Sequence, residues 1–406
     1  MRSELPDGGR IGVSGSGPGF TAAPGASRVT PPSTPVTAPP ARPGAHRLAY
    51  LDGWRTIAVT IVIVSHVTGF RQHPLLLKTL ARWLPLGEVG VLIFFFISGY
   101  VISRSALGEI GRTGNFSIPA FYTRRFFRII PPLVLYLVTC VALGAMGLVN
   151  FHLANAVPAF LYVCNIGPVG LGPISSCEWL AGHTWSLAYE EQFYLLFPAL
   201  LTLLLLRRAP LWPYFFGALI FAAMPLFFPL SFAGPFDFPI TYGLFGAGFL
   251  AARYEGRIVA AIRRHALPAF LISTAVVLAA PLTLPWPAIA EPYPLTYLAA
   301  IPVMVLSSGA IGFAAVLTNP VMRYLGRISY GIYLWQELAT SSLFRPRPLI
   351  LELVAIAGVV VLCALLYEGM ETPLIALGHR LSKRIVAGNA GVAGEAPPAL
   401  APARPE

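Results

Sequence analysis

The sequence predicts an all-α integral membrane protein, a bundle of about ten transmembrane helices with both termini in the cytoplasm. Three observations lead there. Hydrophobic residues make up 56% of the 406 positions and charged residues only 11%, against roughly 25% charged in a soluble globular chain. Apolar runs of about 17 to 22 residues recur along most of the length, each enough to cross the hydrocarbon core of a bilayer. Basic residues then gather in alternate loops between those runs.

Residues 1–47 are rich in Pro, Gly, Ser and Ala and hold no apolar run long enough for a signal-peptide core, so they read as a disordered cytoplasmic arm. The first helix then serves as its own insertion signal. Apolar runs between charged or Pro/Gly breaks place spans at 53–70, 87–103, 129–149, 185–206, 212–230, 238–253, 266–284, 294–315, 328–344 and 349–368. An even count returns the chain to the side on which it began. The transmembrane domain covers 48–385, and 386–406 repeats the Ala/Gly/Pro character of the arm and reads as a disordered cytoplasmic tail.

Orientation follows from the basic loops. Arg104, Arg112, Arg124, Arg125 and Arg128 follow the second span, Arg207 and Arg208 the fourth, and Arg253, Arg257, Arg263 and Arg264 the sixth. Arg323 and Arg327 follow the eighth, and Arg380, Lys383 and Arg384 the tenth, while the opposite loops hold chiefly Arg71, Lys78, Arg82, Arg345 and Arg347. The same distribution argues against nucleic acid as the partner of a net charge of +11, because the charges form short topogenic clusters and not a continuous basic face. The loop from Asn150 to His183 faces outward in this topology and carries Cys164 and Cys177. Either a disulfide or two free thiols suits it. No internal repeat of the kind found in duplicated transporter halves is visible.

Ionisable residues inside apolar spans are costly, so they mark candidate function. In the first span Arg55 stands near the cytoplasmic end and His66 eleven residues on, about 16 Å deeper along a helix. An imidazole there suits proton transfer; the plainer alternative is an interfacial arginine that snorkels and a histidine facing solvent at the helix end. Arg125 and Arg128 are three residues apart and share a helix face. Two guanidinium forks on one face suit a phosphate, although a positive-inside anchor explains them equally well. In Trp185-Ser186-Leu187-Ala188-Tyr189-Glu190-Glu191-Gln192-Phe193-Tyr194 two carboxylates open an apolar span. Glu190 falls near the depth assigned to His66, with Glu191 as the second choice of partner, and a carboxylate paired with an imidazole raises its basicity. Both glutamates also suit a solvated interface. Trp185, Tyr194 and Tyr333 are candidate substrate contacts, and an aromatic belt accounts for such residues as well. No metal site is expected.

In this order the segments resemble the acyltransferase 3 family, polytopic enzymes that O-acetylate bacterial surface polysaccharides and other acceptors. The likeness runs from Tyr50 to Pro373. Leu51-Asp52-Gly53-Trp54-Arg55 with His66 is similar to the family's Arg, ten residues, His pattern. Gly90-Val91-Leu92-Ile93-Phe94-Phe95-Phe96-Ile97-Ser98-Gly99-Tyr100 resembles its second-helix signature, Arg125 and Arg128 its Arg-x-x-Arg, Trp185-Ser186-Leu187 with Glu190 its Trp-Ser-Leu-x-x-Glu, and Glu371-Thr372-Pro373 its Glu-x-Pro. Gln336 departs from it, standing where many members have a His after Tyr-Leu-Trp.

The resemblance implies acyl-CoA, usually acetyl-CoA, as co-substrate, a carbohydrate or lipid-linked glycan acceptor, and a multi-pass place in the bacterial inner membrane among membrane lipid. Arg55, Arg125 and Arg128 are then expected to hold the CoA phosphates at the cytoplasmic mouth. His66 is expected to act as general base with Glu190 fixing its tautomer. The competing expectation is a transporter or permease for a sugar- or lipid-linked substrate, with the same buried residues as its path.

Overall fold

The computed structural model describes residues 44–67, 86–168, 177–202, 230–232, 238–283, 296–340 and 349–393. These residues form an almost wholly helical bundle. Its first helices are α1 (Gly44–His66), α2 (Leu86–Thr113), α3 (Ile118–Ala145), α4 (Leu153–Phe160), α5 (Glu178–Gly182) and α6 (Trp185–Leu201). There follow α7 (Phe238–Arg253), α8 (Glu255–Arg263), α9 (Ala266–Thr283), α10 (Tyr297–Ser308), α11 (Phe313–Leu317), α12 (Pro320–Arg327) and α13 (Ser329–Thr340). The last are α14 (Leu349–Leu366) and α15 (Thr372–Ala393), joined by a π-helical turn over Tyr367–Glu371. One antiparallel ribbon pairs β1 (Ile166–Pro168) with β2 (Leu230–Phe232).

The chain is an all-α membrane protein. Among the described residues three helical stretches are long and apolar enough to cross a bilayer, Gly87–Thr113, Ile118–Ala145 and Leu349–Ala387, or four if α8 and α9, bent by 98°, count as one. Helices stand at each expected span except 212–230, which lies outside the described residues apart from Leu230 in β2. The expected arm over 1–47 lies almost entirely outside them as well.

Several boundaries differ from the expected ones for local reasons. α2 runs ten residues past its expected end and stops where Gly114 takes a φ of +70°, a conformation that glycine adopts without steric cost. α3 begins eleven residues early because Ser117 caps it, accepting from the Ala120 backbone N–H, with proline in the first turn. Arg124, Arg125 and Arg128 therefore sit within the helix. The run at 294–315 is broken after Ser308 into α10 and α11. At the far end α15 continues to Ala393, into the expected tail, since no proline interrupts it before Pro397.

α2 packs against both α1 and α7, and α1 packs also against α12 and α13. Small residues allow the close approach. A Cβ at Gly326 of α12 would run into the backbone of Asp52, and one at Gly99 of α2 into that of Phe245. The outer face of α14 leaves Ile350, Leu351, Val354, Val361 and Leu365 exposed, as expected of a helix side that faces lipid. Cys164 and Cys177 form a disulfide. Cys140 and Cys363 are free and buried.

Candidate active site

A cavity of about 480 Å³ opens between α1, α2, α3, α6 and α13. Arg55 enters from α1, Arg125 and Arg128 from α3, Glu190, Glu191 and Tyr194 from α6, and Arg327, Ser329 and Tyr333 from α12 and α13. Phe126, between the two α3 arginines, is 53% exposed on the opposite side. The three-residue spacing thus directs both guanidinium groups to one face, as helical geometry requires.

The arginines share the cavity with Asp52, Glu190 and Glu191 but make no direct ion pair with them among the described residues. Arg55 donates from Nε to Ser329 Oγ at 3.2 Å and lies over the Phe94 ring at 5.9 Å. Arg125 stacks on the Tyr194 ring at 4.8 Å and the Phe121 ring at 5.8 Å. Among the described residues none of Arg55, Arg125, Arg128 and Arg327 forms an ion pair, whereas Arg124 is bound to Glu109 at 3.0 Å and Arg104 to Glu255 at 2.9 Å. Clustered cations in a partly apolar cavity repel one another. Such a cluster favours an anionic ligand with several oxygens, which guanidinium forks grip bidentately.

Glu190 belongs to this cavity. Its Oε1 accepts from Ser98 Oγ at 2.5 Å and from the Tyr194 hydroxyl. Tyr194 therefore joins the carboxylate to the ring on which Arg125 rests. The pairing of His66 with Glu190 expected from the sequence is not formed, and Glu191 does not replace it, because it too lines the arginine cavity. The expected common depth misjudged where the residues meet. Glu190 lines one cavity with Arg55 and Ser329, and His66 lies eleven residues further along α1.

His66 instead meets α13. Its Nδ1 is 2.9 Å from Glu337 Oε1, with 29% of the imidazole exposed against 3% of the glutamate side chain. Gln336 lies beside both: its Nε2 donates to Glu337 Oε1 at 3.0 Å and its amide contacts His66 Nδ1 at 2.9 to 3.2 Å. A carboxylate on Nδ1 selects the tautomer protonated there, leaving the Nε2 lone pair free to take a proton. Gln336, in the position where the pattern departs from its relatives, thus buttresses the histidine and glutamate.

Between the arginine cavity and this pair stands Tyr333. Its hydroxyl is 2.5 Å from Ser186 Oγ and donates to the His183 carbonyl at 2.8 Å. Ser186 and Tyr333 line the cavity, and His66 and Glu337 do not. Of the three aromatic candidates Tyr194 and Tyr333 face the cavity, while Trp185 packs edge-on against Tyr189 at 6.1 Å and does not. Glu337 was not singled out from the sequence. Its signal was an acidic side chain in the middle of the run at 328–344, one residue beyond Gln336, where a charge is costly without a partner. Among the described residues no group of three or more His, Cys, Asp or Glu is arranged to hold a metal ion.

The model of the acyltransferase 3 family, an acyltransferase domain, matches residues 48–368. The chain belongs to this family. The match takes in both the arginine cavity and the His66–Glu337 pair. Among similar proteins, the O-acetyltransferase OatA of Staphylococcus aureus strain NCTC 8325 / PS 47 is 35% identical over 175 residues, covering 39% of this chain and 26% of that protein. A putative O-acetyltransferase of Staphylococcus aureus strain COL is 33% identical over 164 residues, covering 38% and 25%. The chain thus matches about a quarter of the length of these curated relatives. No solved structure matches it.

Proposed function

We propose that this protein is a membrane-embedded O-acyltransferase that moves an acyl group, most simply acetyl, from cytoplasmic acyl-CoA to a hydroxyl of a carbohydrate or other cell-envelope acceptor. The observation that carries the reading is the presence of two unlike sites in one bundle. α1 and α13 contribute both to a cavity lined by Arg55, Arg125 and Arg128 and to a histidine whose Nδ1 is held by a buried glutamate. CoA is a polyanion with a long thin arm that ends in the thioester. Arg55, Arg125 and Arg128 bind its phosphates, and the arm passes Ser186 and Tyr333 toward His66. From Ser329 to Gln336 on α13 the rise is seven residues, about 10 Å, a distance the arm spans.

His66 acts as general base at Nε2. As the acceptor hydroxyl attacks the thioester carbonyl, its proton passes to His66, and Glu337 stabilises the imidazolium through Nδ1–H. The new C–O bond forms, the C–S bond breaks, and the leaving thiolate takes the proton from His66. CoA and the O-acyl acceptor result, with the histidine returned neutral. The acetyl group is supported by relatives named O-acetyltransferases.

In this reading the domain over 48–385 crosses the bacterial inner membrane about ten times, N-in and C-in, with the arm and tail in the cytoplasm. The Cys164–Cys177 disulfide supports that orientation, because such bonds persist on the oxidising side of a bacterial membrane. The test is label transfer from radioactive acetyl-CoA supplied to the cytoplasmic face of inverted vesicles containing the full chain. Label in a glycan fraction that depends on His66 is expected. Vesicles that retain unhydrolysed acetyl-CoA and label no acceptor would point to a permease instead.

A further inference from the structure

His183 plays no part in the mechanism above, yet its imidazole is buried in the bundle. It is 7% exposed. Its ring packs against Tyr333 at 5.4 Å and edge-on against Tyr136 at 5.7 Å, and Tyr136 in turn meets Trp335 at 5.5 Å. By distance and angle neither ring nitrogen completes a hydrogen bond among the described residues, and the Leu334 carbonyl is the one backbone group that approaches the ring. A buried imidazole without a completed hydrogen bond is unfavourable, because its N–H and lone pair have given up water for nothing.

A second orphan lies on the same helix face. Tyr333 and Glu337 are four residues apart on α13 and point the same way. Glu337 is 2% exposed, and its Oε1 is occupied by His66 and Gln336 while its Oε2 has no partner. His183 and Glu337 are near enough for their charges to act on each other, without a direct hydrogen bond. A buried carboxylate is best held when both its oxygens accept hydrogen bonds.

We propose that His183 is the positioning residue of Glu337. Its ring N–H serves Glu337 Oε2, through one buried water or a small turn of the carboxylate, and so keeps Oε1 on His66 Nδ1. One bound water between two such groups is an ordinary arrangement in protein interiors. The glutamate then sits between two imidazoles of different duty. His66, partly exposed, exchanges the proton, and His183, sealed by Tyr136 and Tyr333, remains a neutral donor. This inference rests on the reading of His66 and Glu337 as the base pair of an acyl transfer.

The experiment separates a donor from a filler of space. His183→Phe and His183→Leu keep apolar bulk and remove the N–H; His183→Asn keeps an N–H and removes the ring. Each is made in the full chain, quantified in the membrane by immunoblot, and assayed in inverted vesicles at saturating radioactive acetyl-CoA. The expected result is a rate about tenfold lower for H183F and H183L, the effect of one hydrogen bond to a charged group, with the KM for acetyl-CoA unchanged and H183N within about threefold of wild type. The inference is overturned if H183F keeps the full rate, if H183N falls as far as H183F, or if H183N alone accumulates in the membrane, which would make the role one of assembly. Should H66A and E337Q both keep the wild-type rate, the acyl-transfer reading itself fails. Inactive H66A and E337Q beside a fully active H183F would overturn the role of His183 alone.

Discussion

His66 Nδ1 lies 2.9 Å from Glu337 Oε1, a contact that ties the first helix of the bundle to the thirteenth across most of the chain. In the proposed mechanism Glu337 therefore stands in for Glu190 beside His66, and Glu190 stays in the arginine cavity, bound to Ser98 and Tyr194. The two glutamates therefore have separable kinetic signatures. Glu190→Ala releases the Tyr194 ring on which Arg125 rests. It is expected to raise the KM for acetyl-CoA about tenfold while kcat stays within about threefold, as for the loss of ground-state binding. Initial rates over a range of acetyl-CoA concentrations check it, and a fall in kcat with unchanged KM would return Glu190 to the chemistry.

The arginines should report on the donor phosphates. Arg125→Gln and Arg128→Gln are each expected to weaken acetyl-CoA binding about tenfold or more. Arg125→Lys should recover only part of that loss, because a point charge does not replace a planar fork. Arg104→Gln, which breaks an ion pair with Glu255 outside the cavity, should leave donor affinity alone. Binding of labelled acetyl-CoA to purified protein measures all four. Equal losses for Arg104 and Arg128 would mean a general electrostatic effect.

The close contact of α12 with α1 sets up a stability prediction. At Gly326 a side chain would press on the backbone of Asp52, while at Gly358 on the lipid-facing helix it would meet nothing within 4 Å. Gly326→Leu is expected to destabilise the bundle by about 1 to 3 kcal/mol, the usual cost of overpacking. Gly358→Leu should not. Thermal unfolding in detergent compares them, and equal melting temperatures would contradict the packing described.

The cysteines give a prediction independent of activity. The chain has four, of which Cys140 and Cys363 are free and Cys164 and Cys177 are joined. Maleimide-PEG applied to denatured, unreduced protein should add two mass steps, and four after reduction. Four steps before reduction would contradict the bond.

Much of this was legible in the sequence, and the limits have physical causes. Hydrophobic runs reveal helices because a bilayer demands internally bonded backbone, and the three-residue spacing of Arg125 and Arg128 put both on one face. Helix ends were less legible, since Ser117 and Gly114 act through local backbone geometry that hydropathy does not register. The contact of His66 with Glu337 is not legible in the sequence, because depth along one helix does not say which other helix stands alongside. Glu190 lay inside a conspicuous motif, whereas Glu337 lay one residue past one, and only the packing of α1 against α13 distinguishes them.

The central claim is that Glu337, acting on His66, supports the chemical step and not donor binding. The most direct test compares Glu337→Gln with wild type in two assays on the same vesicles: binding of labelled acetyl-CoA, and transfer of its label to an acceptor. The account predicts donor affinity within about threefold of wild type and transfer reduced at least a hundredfold, the scale of general-base catalysis. Unimpaired transfer by Glu337→Gln, with equal protein in the membrane, would contradict it.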